Sequence, residues 1–173
     1  MSYVFFDTET TGLQAGFDQI IHFAAVRTDN DLKEVERLEI RSRLLPHVVP
    51  HPSAIRTNGV PIVQLLDREL PSHYEMVCVI RQRLLKWSPS IFIGYNSIRF
   101  DEEMLRQAFF QCLQPAYLTS LHGNCRADAL GLAMAASSAK PPCIAVPVGP
   151  DGRPTFRLEM LASANGIGHD QVH

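Results

Sequence analysis

The stretch "YVFFDTETTG", Tyr3 to Gly12, decides the fold class of this chain. Its first half, Tyr3 to Asp7, is a short apolar run rich in residues that favour β structure, and it predicts a buried strand. Its second half carries two acids, Asp7 and Glu9, and then a turn at Gly12. Ligands bind α/β sheets at the carboxyl ends of their strands, so this stretch predicts both a strand and the edge of a site.

Strand and helix patterns alternate after this stretch. Residues 19–28 and 32–45 flank the turn-forming "DND" and predict an antiparallel hairpin. Ser72 and Glu75 form a capping box that starts a helix with apolar residues three and four apart, as far as Trp87. Another buried strand is expected in "SIFIGYN", residues 90–96. Further helices are predicted directly after Pro61, from about Arg99 to Cys112, within residues 125–139 and within residues 156–165.

The alternation predicts an α/β fold, with a mixed β-sheet that opens with an antiparallel hairpin region and has helices packed on it. At 173 residues with 46% apolar content, the chain is expected to form one domain, residues 1–173. The net charge of −2 and the scattered basic residues give no broad basic face. No Cys-x-x-Cys pair, signal peptide or apolar run of ~20 residues occurs, which favours a cytoplasmic protein with reduced thiols.

Asp7 and Glu9 form the first candidate site. Residues two apart in a strand point to one face, so the two carboxylates are expected to project together. Two such acids repel each other unless a cation lies between them, and oxygen ligands suit Mg²⁺ or Mn²⁺. The alternative is a solvated strand end followed by a Thr/Gly turn.

Asp101 is the second candidate. It lies in the first turn of a predicted helix that follows a buried strand, a position aimed at the same edge of the sheet. The alternative is an acid that only decorates the start of a helix. That interpretation fits the neighbouring Glu102 and Glu103.

Three segments in order resemble the motif regions of a nuclease family. They are "FFDTETTG", "GYNSIRFDEEM" and "FRLEMLASANGIGHDQVH", and they resemble the histidine-bearing branch of the DEDD superfamily of 3′→5′ exonucleases. The connecting segments "HFAAVRTD", "PHPSAIRTNGV" and "NCRADAL" are also similar, so the likeness covers nearly the whole chain.

The resemblance implies a ribonuclease H-like fold and two Mg²⁺ ions, for which Mn²⁺ can substitute. Asp7, Glu9 and Asp101 would be metal ligands, and His169 the general base that takes a proton from the attacking water. Two-metal sites stabilise the attacking and leaving oxygens of a phosphoryl displacement. The implied reaction is hydrolysis of single-stranded DNA from the 3′ end to 5′-mononucleotides by a monomeric enzyme. Other DNA repair or single-strand-binding proteins are candidate partners.

Further residues are expected to contact the substrate, and the two arginines among them would contact phosphate. The candidates are Thr10, Thr11, Asn96, Phe100, Arg126 and Arg157. Turn formation is the alternative for the two threonines, and a place in the core is the alternative for Phe100. Asp128 is expected to form a structural ion pair, and His47 and His51 are expected to be surface residues.

The last residues allow a further expectation. In the family that the chain resembles, the motif histidine is followed five positions later by a fourth metal-binding aspartate, and the fifth position after His169 falls one beyond His173. The chain is therefore expected to be truncated before that carboxylate, to bind a divalent ion through Asp7 and Glu9, and to cleave poorly. A 3′→5′ exoribonuclease on short RNA and a nucleic-acid-binding module without activity remain the alternatives. A zinc pair of His169 and His173 lacks a third ligand.

Overall fold

A computed structural model describes residues 2–168. The strands are β1 (Ser2–Thr10), β2 (Ile20–Thr28), β3 (Glu34–Arg41), β4 (Ser90–Gly94) and β5 (Cys125–Asp128). The helices are α1 (Pro52–Asn58), α2 (Ile62–Leu65), α3 (His73–Trp87), α4 (Asp101–Gln111), α5 (Ala129–Ala139) and α6 (Leu158–Ala164). Short 3₁₀ turns lie at Leu118–Ser120 and Pro141–Cys143. None of these helices is both long and apolar enough to cross a membrane.

The strands form one five-stranded sheet in the order β3-β2-β1-β4-β5. β1 pairs antiparallel with β2, and β2 pairs antiparallel with β3, which confirms the predicted hairpin. β4 lies parallel to β1 on its other side. The sheet is therefore mixed, as predicted, and β1 is flanked on both sides.

The main core lies between the sheet and α3. Ser72 accepts a hydrogen bond from the backbone of Glu75, and Glu75 accepts one from the backbone of Ser72, so the predicted capping box is present. The buried face of α3 contacts β2 and β3 and shares one core cluster with Val4 and Phe6 of β1, which alternate with outward residues. Phe6 also contacts Phe23 of β2 and Phe92 of β4, with ring centroids 6.2 and 6.4 Å apart. These contacts fix the position of β1 in the sheet.

Two elements differ from the sequence predictions. The proline-rich segment contains α1 in addition to the predicted helix after Pro61. Pro52 starts α1 because a proline at the first helical position gives up only a backbone N–H that has no partner within the helix. Residues 125–128 form β5, and the helix that the sequence predicts there begins only at Ala129.

The described chain forms two compact units, divided between Ala127 and Asp128. The first contains the sheet and its core. In the second, Asn165 at the end of α6 hydrogen-bonds both backbone groups of Ala145, at 2.9 and 2.8 Å. The prediction of a single domain over residues 1–173 stays a prediction.

Candidate active site

The carboxyl end of β1 carries the first two acids on one face. Val4, Phe6 and Thr8 point into the core and are buried, whereas Asp7 and Glu9 lie on the opposite face and are accessible. The prediction that the two carboxylates project together is therefore confirmed.

Asp101 joins them from the start of α4. Because β4 runs parallel to β1, with Ser2 beside Ser90, the loop after β4 delivers α4 to the carboxyl end of β1. One carboxylate oxygen of Asp101, Oδ1, accepts hydrogen bonds from the backbone N–H of Thr8 at 3.1 Å and from its hydroxyl at 2.6 Å. Asp101 is only 3% exposed, so these bonds fix a buried acid beside the pair on β1.

The three carboxylates influence one another's protonation. Burial raises the pKa of Asp101 to about 6, with hydrogen bonds from Thr8 opposing the rise and the charge of Asp7 adding to it. The pKa of Glu9 is raised by burial and then by the charges of Asp7 and Asp101. The side chain of Asp7 is accessible, but partial desolvation by its neighbours raises its pKa, against the backbone hydrogen bond of Thr8. Such a cluster is most stable when a cation offsets its negative charge.

The donor chemistry fits a divalent cation. Carboxylate oxygens are the ligands that Mg²⁺ and Mn²⁺ prefer, and the mutual repulsion of Asp7, Glu9 and Asp101 is the condition that a bound cation relieves. Within residues 2–168, no group of three or more His, Cys, Asp or Glu side chains already surrounds one metal position. The predicted ligand set therefore stays a prediction that rests on chemistry and proximity.

His22 belongs to the surroundings of the acids, although the sequence did not identify it. It lies directly across from Glu9 in the β1–β2 register, and its Nε2 is 3.1 Å from a carboxylate oxygen of Glu39 on β3. Burial and the nearby Arg41 lower the pKa of His22, and its charge in turn lowers that of Asp7. His22 is recognised as a neighbour of Glu9 only from the register of β1 and β2, which the sequence alone does not predict.

A pocket of about 680 Å³ opens beside the acids. Glu9, Thr10 and Phe100 line one side of it. The segment around α1 forms another side and is tied to β1, because Asn58 donates a side-chain hydrogen bond to the carbonyl of Thr10 at 2.8 Å. His51 is exposed, as predicted, but it also lines this pocket and accepts the capping hydrogen bond that starts α1.

The two threonines after the acids fold the β1–β2 loop. Thr10 donates its hydroxyl to the carbonyl of Gly12 at 2.7 Å. The hydroxyl of Thr11 donates to Asp18 at 2.9 Å and accepts from the backbone of Gln19 at 2.9 Å. Thr11 is fully buried, so its side chain is not placed to contact a ligand. The alternative of turn formation is thus what the structure shows for Thr11, while Thr10 also lines the pocket.

The other predicted substrate contacts belong to several different segments of the chain. Phe100 lines the pocket and also packs partly against the core, so it combines both interpretations. Asn96 is exposed in the loop between β4 and α4, with a left-handed φ of 60°. Arg126 lies on β5 near the start of α4, and Arg157 is exposed just before α6 in the second unit.

Two acids have roles that the sequence did not predict. Glu102 was expected to decorate the start of α4, but it is only 1% exposed and accepts a hydrogen bond from the hydroxyl of Thr119 at 2.7 Å. The prediction was wrong because the rotation of α4 turns Glu102 inward. Asp128 caps α5 by accepting a hydrogen bond from the backbone of Leu130 at 3.0 Å, a role that the sequence did not identify, and its predicted ion pair stays a prediction.

The structure does not describe the predicted general base. His169 lies outside the described residues, as do Asp170 and His173. The role of His169 therefore stays a prediction from the sequence.

Comparisons with known proteins agree with the family resemblance. The profile of the RNase_T family, described as Exonuclease, matches residues 4–141. Exodeoxyribonuclease I of Escherichia coli strain K12 is 31% identical over 175 residues, which cover 99% of this chain and 36% of that protein. The chain thus spans about a third of the length of this relative.

Solved structures show the same relationship. The E. coli exonuclease I structure in complex with a dT13 oligonucleotide is 30% identical, has a TM-score of 0.89, and matches 97% of this chain and 36% of its own. The ExoI/SSB-Ct complex is 29% identical, has a TM-score of 0.91, and matches 99% of this chain and 37% of its own. The ribonuclease H-like fold and the resemblance to an exonuclease family, both expected from the sequence motifs, are confirmed.

Proposed function

The chain belongs to the exonuclease family, and on that premise we propose that it carries the catalytic unit of a metal-dependent 3′→5′ exonuclease acting on single-stranded DNA. The observation that carries the proposal is the joint placement of Asp7, Glu9 and Asp101. Asp7 and Glu9 lie at the carboxyl end of β1, Asp101 is hydrogen-bonded to Thr8 between them, and the pKa of each of the three carboxyls is raised. A bound divalent cation would relieve this repulsion.

The three acids and His169 have different roles in the proposed reaction. Asp7, Glu9 and Asp101 would hold two Mg²⁺ ions, or Mn²⁺ in their place, and Thr8 fixes the buried Asp101 through two hydrogen bonds to its carboxylate. When bound there, such ions would supply an activated nucleophile and would stabilise the charge that develops at the scissile phosphate. His169 takes the proton of the attacking water, since an imidazole with a pKa near ~6.5 accepts protons around neutral pH.

The pocket beside Glu9 fits the terminal nucleotide. Its volume of about 680 Å³ lies in the range of small-molecule sites, and the ring of Phe100 gives it an aromatic surface. Bases of single strands stack on aromatic side chains without regard to sequence. Glu9 lies in the wall of the pocket, so a nucleotide bound there places its phosphodiester near the acids.

The proposed substrate and partner follow from the relatives. One solved relative is in complex with a dT13 oligonucleotide and another with SSB-Ct. We infer that single-stranded DNA and a single-strand-binding protein are the partners of this chain as well. A role in DNA repair, the release of 5′-mononucleotides and a cytoplasmic monomer belong to the same proposal. Arg126 and Arg157 are the basic side chains proposed to contact phosphate, with Asn96 near the sugar or base.

A nuclease assay with labelled strands tests the proposal. The chain is incubated with 5′-labelled single-stranded DNA and Mg²⁺ or Mn²⁺, beside Asp7→Ala and the control Glu103→Gln, which changes an exposed acid of α4. A second version is extended after His173 with the corresponding segment of the E. coli relative. We expect a stepwise ladder from the 3′ end, absent in Asp7→Ala and unchanged in Glu103→Gln.

The alternatives give different results in this assay. No products from either version would contradict the nuclease proposal and leave a binding module. Early release of the label would contradict the 3′→5′ direction. A matched RNA strand that is shortened faster than the DNA would replace the proposed substrate with short RNA.

A further inference from the structure

Glu102 lies next to Asp101, yet it faces the opposite side of β4. Asp101 reaches β1 through Thr8, whereas Glu102 accepts a hydrogen bond from Thr119 at 2.7 Å and lies 3.9 Å from the guanidinium of Arg126 on β5. In the sheet, β1 and β5 are the two neighbours of β4, the strand that leads into α4. The first turn of α4 is therefore held from both sides by two consecutive carboxylates.

The burial of Glu102 is costly for stability alone. Its side chain is 2% exposed, and burial raises the pKa of its carboxyl against the opposing effects of Thr119 and Arg126. Apolar residues of similar volume often replace buried ion pairs without loss of stability. A role in holding the first turn of α4 in place explains a buried acid at this position better than a contribution to stability does.

We propose that Glu102 is a positioning residue, which fixes the first turn of α4 against Thr119 and Arg126 and so sets Asp101 for divalent cation binding. The inference rests on the proposed function, because it takes Asp101 as a metal ligand. The position of a ligand depends on such supporting contacts, and their loss lowers metal affinity by about 10- to 100-fold in known sites. Glu102 itself has no place among the ligands, since its carboxylate is directed toward Thr119.

Metal binding, measured without any substrate, tests the role of Glu102. Mn²⁺ is titrated into the chain and its variants, with free Mn²⁺ followed by electron paramagnetic resonance and unfolding followed by circular dichroism. Glu102→Met keeps the volume and removes the polar contacts, and Glu102→Gln keeps an acceptor for Thr119. We expect Glu102→Met to bind Mn²⁺ about tenfold more weakly while it stays folded. We expect Glu102→Gln to restore affinity to within about threefold of the original chain.

Two further variants, Thr119→Val and Asp101→Asn, distinguish a failure of the positioning role from a failure of the proposed metal site. Thr119→Val leaves Glu102 in place and removes its hydrogen-bond donor, so it gives the same test if Glu102→Met does not fold; we expect weaker Mn²⁺ binding here too. Unchanged affinity in the folded Glu102→Met, or in Thr119→Val, would overturn the positioning role. Unchanged affinity in Asp101→Asn would instead show that Asp101 is not a ligand, and the proposed metal site would fail.

Discussion

Thr8 donates two hydrogen bonds to a single carboxylate oxygen of Asp101, from its backbone N–H at 3.1 Å and its hydroxyl at 2.6 Å. Thr8 lies between Asp7 and Glu9 in β1, so the residue that separates the two acids in sequence also holds the third acid in space. The arrangement makes the conformation of β1 and the position of α4 interdependent. A substitution of Thr8 should therefore alter the position and the pKa of Asp101 more than those of other residues.

Thr8→Val removes the hydroxyl and keeps both the β-branched shape and the backbone donor. Hydrogen bonds to charged groups contribute about 1.5–3 kcal/mol, and we expect a loss of unfolding free energy at the low end of that range because one donor remains. The pKa of Asp101 should rise further above about 6, since Thr8 lowers it. Carboxyl ¹³C NMR during a pH titration of the metal-free protein measures this shift.

Thr28→Val is the matched control for Thr8→Val. Thr28 is also buried in the sheet, and its hydroxyl donates to the backbone carbonyl of Asp29, away from the acids. It should leave the titration of Asp101 unchanged. If Thr8→Val also left that titration unchanged, the hydrogen bond would have no role in tuning Asp101.

The stability of the metal-free protein should depend on the protonation of Asp101. Its pKa is about 6 in the folded protein and 3.8 as the ordinary value, so the folded state binds the proton more tightly than the unfolded state. The stabilisation from this difference is complete below pH 3.8 and is lost as pH rises through about 6. By this linkage, raising the pH from 4 to 7 should cost up to about 3 kcal/mol at this residue.

Other acids make the protein less stable as the pH falls, which is opposite to the effect of Asp101. The contribution of Asp101 is therefore measured as a difference between the original chain and a variant. The pKa of Glu36 and of Glu75 is lowered by hydrogen bonds from Lys86 and Ser72, and these groups lose stabilising interactions as pH falls. Urea unfolding of the original chain is therefore compared with that of Asp101→Asn at each pH. The stability of the original chain relative to this variant should fall between pH 4 and 7, and Mg²⁺ should reduce the fall. A constant difference would contradict the raised pKa.

Asp7→Asn should stabilise the metal-free protein at neutral pH. The charge of Asp7 raises the pKa of both Glu9 and Asp101, so its removal relieves repulsion. We expect a gain of about 0.5 kcal/mol, a small value because the side chain is exposed and water screens its charge. The same variant should lose most of the rise in melting temperature that Mg²⁺ causes in the original chain.

Glu103→Gln is the control for Asp7→Asn. Glu103 is an exposed acid in the first turn of α4 and pairs with Arg106. Its replacement by glutamine removes one negative charge, as Asp7→Asn does, without changing any of the three acids. It should keep the response to Mg²⁺. A response that is equally reduced in both variants would show that general charge, and not the site, binds the cation.

The sequence predicts the acids better than it predicts their surroundings. The alternation of side chains in a strand places Asp7 and Glu9 on one face, and the order of strand and helix places Asp101 at the same edge. Both rules are local to one segment. The neighbours that modify these acids come from other segments: His22 depends on the register between β1 and β2, and that register is fixed by core packing.

The same limit explains the two elements and the acid that were wrongly assigned. The prolines of this segment favour an extended conformation over a helix. The helix α1 becomes evident only in the structure, where the side chain of His51 caps its start and Gly59, in the left-handed conformation, ends it. The burial of Glu102 depends on the rotation of α4 about its axis, for which the sequence of α4 gives no signal beyond its apolar residues. Pairing with β4 likewise decides that residues 125–128 are a strand.

Gly94→Ala should disturb the connection between β4 and α4, since there is no room for a side chain. An added Cβ would lie 2.4 Å from the Cβ of Ser97 and 3.0 Å from the backbone oxygen of Phe6. Relief requires movement of the loop that carries Asp101, and overpacking of this kind costs about 1–3 kcal/mol. Gly16→Ala, where nothing lies within 4 Å, should change the unfolding free energy by less than about 0.5 kcal/mol. Urea unfolding compares the two, and Mn²⁺ titration should show weaker binding only for Gly94→Ala. Equal stability of both variants would mean that the loop yields freely, and Asp101 would then be less firmly placed than its contact with Thr8 indicates.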